Sequence, residues 1–100
     1  MKYKGSYKEN KKDGYGVLIS ADGKEKYEGN FKNNVFDGRG KYTHIDGTYY
    51  EGNFKDGLRH GDGTIYFING DIFKGCFRKD ERNGMGKFFK KKWRKIYGIF

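Results

Sequence analysis

Few residues in this chain of 100 have the types and spacing that enzyme chemistry requires. The two histidines, His44 and His60, lack the paired spacing of metal ligands, so the sequence predicts no metal site. Neither Ser6 nor Ser20 lies in the Gly-x-Ser-x-Gly pattern of a nucleophile elbow. The single cysteine, Cys76, excludes an intramolecular disulfide and a multi-thiolate zinc site, and it indicates a reducing compartment. We therefore expect no enzyme activity, no cofactor and no small-molecule substrate.

The residues best suited to binding form a basic cluster near the end of the chain. The chain has 22 Lys and Arg against 13 Asp and Glu, a net charge of +9. Two thirds of this charge, +6, lies in the last 14 residues, which contain no acid. A basic loop with an aromatic side chain suits an anionic membrane surface, where each cation contributes about 1 kcal/mol. The candidate lipid contacts are Lys90, Lys91, Lys92, Trp93, Arg94 and Lys95.

The basic cluster has other interpretations. Lysines at the end of a sheet also keep a protein soluble and protect an edge strand from aggregation. An acidic protein or a nucleic acid would be attracted as well, but nucleic acid is disfavoured because bases and aromatics are not interleaved along an extended groove.

A repeat organises the chain that carries these residues. Gly5, Gly29, Gly52, Gly75 and Gly98 are separated by 24, 23, 23 and 23 residues. We predict one domain, residues 1–100, with units at about 3–26, 27–49, 50–72 and 73–95 and a closing strand at 96–100. Glycines with predicted structural roles are Gly29, Gly38, Gly40, Gly52, Gly61, Gly63, Gly75, Gly84 and Gly86.

Each unit contains the pattern of two short strands. An aromatic-x-Gly-x-aromatic segment, as in Tyr27 to Phe31, places all three residues on one face of a strand. An Asp-Gly or Asn-Gly pair, such as Asp46-Gly47, predicts a two-residue type I′ hairpin turn later in the unit. In the other loop, two positions hold residue types that tolerate a left-handed backbone conformation. We predict that the residues at both positions either adopt this conformation or cap the turn. One position holds Asn10, Asn34, Gly57 and Asp80, and the other Asp13, Asp37, His60 and Asn83.

These units resemble MORN repeats over essentially the whole chain. The third unit is the closest, with Tyr50-Glu51-Gly52-Asn53-Phe54 followed later by Asn69-Gly70. The fourth unit departs from the pattern, because Phe73 replaces tyrosine and Lys92-Trp93 replaces the terminal Asp-Gly pair. The resemblance implies an all-β fold, an elongated and twisted antiparallel meander of β-hairpins with nine short strands and no required helix.

A single layer of hairpins leaves an aromatic face that needs a cover, since stable domains usually pack two layers. The face must curl over itself, pair with another copy or receive a partner segment. A groove along it suits an apolar peptide or an amphipathic helix. Candidate groove residues are Tyr27, Phe31, Tyr42, Tyr50, Phe54, Phe73 and Phe77. The opposite face is more polar, and Cys76 is predicted to be a half-buried small residue there.

The resemblance and the residues together predict a non-catalytic scaffold or adaptor that binds a protein segment or itself. The cytoskeleton is one location that suits such a scaffold. The alternative is a peripheral module that binds anionic lipid or phosphoinositide through the basic cluster. A third reading, an accessory segment of a larger enzyme, depends on whether the natural chain continues past Phe100. The sequence shows no signal peptide and no apolar run of about 18 residues, so we expect a cytoplasmic protein, with or without peripheral attachment to membrane or cytoskeleton.

Overall fold

Eight antiparallel strands follow one another in a single open sheet, in the order in which they occur along the chain. The computed structural model of the protein describes residues 1–91, apart from the side chains of residues 83–85. The predicted all-β meander is confirmed, while the closing strand at 96–100 lies outside the described residues. The strands are β1 (Lys2–Lys8), β2 (Lys11–Ile19), β3 (Lys26–Lys32), β4 (Val35–Thr43), β5 (Tyr49–Lys55), β6 (Leu58–Tyr66), β7 (Ile72–Arg78) and β8 (Glu81–Phe89).

The two-residue turns do not lie at the Asp-Gly and Asn-Gly pairs, where the sequence predicted them, but at the opposite end of the sheet. Asn33 and Asn34, between β3 and β4, have φ of 50° and 73°, the two positive values that a type I′ turn needs. In the Asp-Gly loops only the glycine has positive φ, so the prediction of type I′ turns there was wrong. The Asp46 carboxylate instead accepts a hydrogen bond from the Thr48 N–H at 2.9 Å, which caps a loop of five residues.

The left-handed positions were predicted half correctly. Asn10, Asn34, Gly57 and Asp80 all have positive φ, between 66° and 84°, as expected for the second residue of each short turn. By contrast, Asp13, Asp37 and His60 lie within strands, and the residue after each of them, a glycine, takes the positive φ instead. The reason is a β-bulge in each hairpin, which places the unusual backbone conformation one residue later.

A row of paired glycines crosses the whole sheet. Gly29 is opposite Gly16 on one side and Gly40 on the other, and the same pairing continues to Gly86. The Tyr27 ring lies over Gly29 of its own strand and Gly40 of the next, and a Cβ on Gly40 would be 2.6 Å from two of its ring carbons. The Tyr27 hydroxyl then donates a hydrogen bond to the Asn30 carbonyl at 2.7 Å. The glycines thus make room for rings that cover the backbone, as predicted.

The core consists of aromatic rings from one face of the sheet. Neighbouring rings meet edge to face, as Tyr27 and Phe54 do at a centroid distance of 5.2 Å and an interplanar angle of 85°. The sheet therefore closes its aromatic face with its own side chains, the first of the three alternatives from the sequence. The fully buried members are Tyr27, Phe31, Tyr50, Phe54, Phe73 and Phe77.

The opposite face carries mostly polar residues, with one aromatic pair. Tyr49 and Tyr66 stack at 4.6 Å, and the Lys41 ammonium lies 4.4 Å from the Tyr49 ring centroid. Cys76 is exposed on this face rather than half-buried, because β7 has no second layer over it. Its thiol donates a hydrogen bond to Asp62 at 3.3 Å, and this bond raises the pKa of Cys76 and keeps the thiol protonated.

Candidate functional site

The seven predicted groove residues lie together on the aromatic face, but most of their surface is used by the fold. Six of them form the buried core, with exposed fractions between 1% and 9%. Tyr42 alone stays half-exposed. A bound segment can therefore contact Tyr42 directly, and of the other six it reaches Tyr50 and Phe54, where a groove opens between the side chains that cover the core.

The covering side chains occupy one equivalent position in every unit. Lys12, Phe36, Arg59 and Arg82 are each the second residue of an even-numbered strand. Phe36 stacks on Tyr27 at 3.8 Å with an interplanar angle of 11°. The three cations lie over rings in the same way, at the distances of cation–π contacts. These distances, from the cation to the ring centroid, are 5.4 Å for Lys12 over Tyr3, 4.8 Å for Arg59 over Phe77 and 5.1 Å for Arg82 over Phe73.

A groove opens between the covering side chains of the second and third units. Its volume is about 300 Å³, and a smaller hollow of about 70 Å³ continues it past Phe36 and Tyr42 toward Leu18. These volumes are at or below the lower end for ligand pockets. The main groove is lined by Phe36, Tyr42, His44, Tyr50, Phe54, Gly57, Leu58, Arg59 and Asp80.

One wall of the groove is fixed by a contact between the third and fourth units. The Arg59 guanidinium donates from Nε to the Asp80 carboxylate at 2.8 Å and from Nη2 to the Asp80 carbonyl at 2.6 Å. The Asp80 N–H donates in turn to the Arg59 carbonyl at 2.9 Å. Because Asp80 lies in the short turn of the next unit, this bidentate contact holds the turn against β6.

The other wall contains a neutral phenol. The Tyr42 hydroxyl donates to the Glu25 carboxylate at 3.2 Å. Burial raises the pKa of Tyr42, and the negative charge of Glu25 raises it further. The phenol therefore stays protonated at neutral pH, so it serves as a hydrogen-bonding rim rather than as a titrating group.

Two larger hollows are less suitable for an apolar segment. One of about 730 Å³ lies beside the short turns of the second and third units, lined mainly by polar residues such as Lys32, Asp37 and Asp56. The other, of about 460 Å³, lies on the polar face and mixes charges of both signs, among them Arg39, Glu51 and Lys74. Neither hollow has the continuous aromatic floor of the groove.

The basic cluster is described only in its first two residues. Lys90 pairs with the Asp71 carboxylate at 3.6 Å, and the Lys91 N–H donates to the same carboxylate at 2.9 Å. Asp71 thus fixes the start of the cluster at the end of the sheet that carries the long loops. The remaining candidate lipid contacts, Lys92, Trp93, Arg94 and Lys95, lie outside the described residues.

Several residues in the groove and at the long-loop end of the sheet were not among the sequence predictions. In the groove these are Phe36 and Arg59, although alternation from Gly38 or Gly61 places both on the aromatic face. At the long-loop end they are Ile45 and Ile68, which are 61% and 69% exposed. An isoleucine immediately before an Asp-Gly or Asn-Gly pair is an unusual turn residue, and this signal could have identified both.

Within residues 1–91, no group of three or more His, Cys, Asp or Glu side chains is arranged to hold a metal ion. The same part of the chain contains no helix with the length and hydropathy needed to cross a membrane.

Comparison with protein-family models identifies the repeat. The MORN repeat model matches residues 3–25, 27–49, 50–72 and 73–93. The chain belongs to the MORN-repeat family. No match was found among curated proteins. The four MORN matches follow the four hairpins of the sheet, from the start of β1 past the end of β8. Such repeats are consistent with a binding or scaffold protein, and they are generally non-catalytic.

Proposed function

We propose that this MORN protein is a non-catalytic adaptor that holds a protein segment on its aromatic face. The observation that carries the proposal is the groove at Phe36 and Tyr42, the place where the covering side chains leave a hollow over the aromatic core. A rigid aromatic floor with hydrogen-bonding groups at its rim is the usual composition of a peptide-binding surface.

Two exposed residues allow the groove to be tested with a matched control. Leu58 lines the groove, whereas Val35 occupies the equivalent position one unit earlier and does not line it. Both are the first residue of their strand, and their exposed fractions are 42% and 40%. A substitution at the two positions should therefore have the same small effect on folding and a different effect on groove binding.

The experiment is selection from a random-peptide display library against the full chain, followed by titration of the enriched peptides. We expect Leu58→Gln to weaken binding about tenfold, since a buried leucine contributes about 1.5 kcal/mol or more. Val35→Gln should change the affinity less than twofold. Failure to enrich any peptide, or equal effects of the two substitutions, would remove the groove from this proposal.

Self-assembly is the second form of the scaffold proposal. Within residues 1–91, β1 has only one strand neighbour, so it presents an unpaired row of backbone donors and acceptors. Pairing of the β1 edges of two copies would join them. Sedimentation velocity over a range of concentrations should then show association, and a strict monomer would eliminate this form.

A second candidate function, binding to anionic membrane, is favoured by one observation. Ile45 and Ile68 project from two long loops at the end of the sheet where Lys90 and Lys91 emerge. Exposed apolar tips beside cations match the two requirements of peripheral attachment, insertion at the interface and attraction to anionic headgroups.

Liposome sedimentation tests this candidate, again with a control from the chain itself. Binding to vesicles with anionic lipid should fall with salt and be lost when Lys90, Lys91, Lys92, Arg94 and Lys95 are replaced by serine. The double variant Ile45→Ser and Ile68→Ser should weaken it, whereas Val35→Ser with Leu58→Ser, at the short-turn end, should not. No binding to anionic vesicles at low salt would eliminate the candidate.

A further inference from the structure

We propose that the segment bound in the groove is acidic and extended, with one apolar anchor near Phe36 and carboxylates beside the flanking cations. This inference rests on the proposed adaptor function and names the chemistry of the partner. It follows from the row of covering side chains, Lys12, Phe36, Arg59 and Arg82, whose members are three cations and one phenyl ring.

The cations of this row are held in fixed positions. Each lies over an aromatic ring of the core, and β-sheet pairing places Lys12, Arg59 and Arg82 directly opposite another aromatic of their own unit. A cation that is positioned before binding loses less side-chain entropy when it meets a carboxylate. The row therefore differs from ordinary surface lysines, which move freely in solvent.

The charge still available in the row is positive. In the described part of the chain, Lys12 and Arg82 make no ion pair, while Arg59 uses two of its five N–H donors on Asp80. The acids beside the groove already have partners, because Asp80, which lines it, accepts from Arg59, and Glu25, which lines the smaller hollow, accepts from Tyr42. A basic segment would meet like charges here, and an acidic one would find free donors.

The size of the groove favours an extended segment over a helix. A hollow of about 300 Å³ accommodates an anchoring side chain, whereas a helix with its side chains is about 10–12 Å across. The members of the row are two strands apart, which is roughly 9.5 Å. An extended chain covers this distance in about three residues at roughly 3.3 Å each. The expected partner segment has four contact residues, each about three residues after the one before. In the order of the row these are an acid, an apolar anchor and two further acids.

The experiment titrates the full chain with three synthetic peptides of this design, about ten residues long. All have leucine as the anchor and serine or threonine as spacers, and the three remaining positions are Glu, Gln or Lys. We expect the Glu peptide to bind at least about tenfold more tightly than the Gln peptide, with an affinity that falls as salt rises, and the Lys peptide to bind least.

Charge reversals identify the surface involved. Lys12→Glu with Arg82→Glu should weaken the Glu peptide at least about tenfold. Lys4→Glu with Lys74→Glu, which changes the net charge equally on the opposite face, should weaken it less than threefold. Circular dichroism of both variants checks that the sheet is intact. If the double variant Lys12→Glu and Arg82→Glu disrupts the sheet, the neutral double variant Lys12→Gln and Arg82→Gln is used instead. It should weaken binding of the Glu peptide by a smaller factor, because it removes the two charges without reversing them.

The outcomes separate this inference from the adaptor proposal. Equal binding of the Glu, Gln and Lys peptides, sensitive to Leu58→Gln, would overturn the acidic partner and leave the groove as a docking site. Equal weakening by the two charge-reversed variants would also overturn it, because net charge alone would then explain the binding. If none of the three peptides binds, the inference fails, while the display selection decides the adaptor proposal independently.

Discussion

Gly40→Ala should destabilise this protein far more than an alanine normally does in a strand. A Cβ on Gly40 would be 2.6 Å from two carbons of the Tyr27 ring, whereas carbon atoms pack best at about 3.5–4.0 Å. The ring would have to move by roughly 1 Å, yet it is only 1% exposed and Phe36 stacks on it at a centroid distance of 3.8 Å. That movement would also break the hydrogen bond from its hydroxyl to Asn30, which is 2.7 Å long.

The expected loss follows from these two effects. Overpacking a well-filled core costs about 1–3 kcal/mol, and the lost hydrogen bond adds about 1 kcal/mol. The free energy of unfolding should therefore fall by about 2–4 kcal/mol, a large part of the 5–15 kcal/mol usual for a domain. For a chain of this size that corresponds to a decrease in Tm of roughly 10–25 °C.

Urea denaturation followed by circular dichroism measures this loss, and two comparisons show its cause. Gly23→Ala tests backbone strain alone, because Gly23 has a φ of 75° and nothing within 4 Å of an added Cβ; it should cost about 1–2 kcal/mol. In a Tyr27→Leu background, whose shorter side chain does not reach Gly40, Gly40→Ala should cost almost nothing. If Gly40→Ala costs the same in both backgrounds, steric conflict with the ring is not the cause.

Three further predictions concern single side chains. Phe73→Tyr should stabilise the protein by about 1 kcal/mol in urea denaturation, because it supplies the ring hydroxyl whose backbone hydrogen bond the first three units already make. Gly57→Asn should stabilise it by about 0.5–1 kcal/mol, since asparagine tolerates the φ of 84° and supplies a carbonyl oxygen for the Phe36 N–H; Gly57→Ala should not. The Lys91 N–H holds the pKa of Asp71 below its usual value, so the stability gained from this carboxylate is complete above about pH 4 and is lost as pH falls through the lower, folded-state pKa. Acid titration of Asp71→Asn should therefore show a smaller loss of stability below pH 4 than the unchanged protein.

The architecture was predictable because one set of residues determines several features at once. The spacing of Gly29, Gly52 and Gly75 sets the length of a unit, and the aromatics two residues on either side identify the buried face. The turn types were less predictable, since each unit offers two turn sequences with similar signals. The β-bulges and strand lengths decide between them, and these depend on how hairpins pair rather than on any single dipeptide.

The candidate site was predicted in its floor and, through Tyr42, in part of one wall. The rings of Tyr27 and Tyr50 were placed on the correct face, but the sequence did not show that Phe36 and Arg59 of the same units cover them, or that Asp80 of the next unit holds Arg59. Lys12, Phe36 and Arg59 share a position but not a residue type, so no repeated residue marks them, and only alternation along the strand places them on the aromatic face. Exposure, which separates Tyr42 from the six buried rings, likewise depends on packing rather than on sequence.

The single-file order of the strands determines how the protein responds to force. Among the eight described strands, each pairs only with the strands that precede and follow it in the chain. In residues 1–91, tension applied at one end therefore acts first on an outer hairpin, and the interior ladders stay intact until that hairpin has detached. The expected extension trace is a series of small steps of one hairpin each rather than a single rupture, so a molecule under load would lengthen gradually and re-form from its intact remainder when the load is removed.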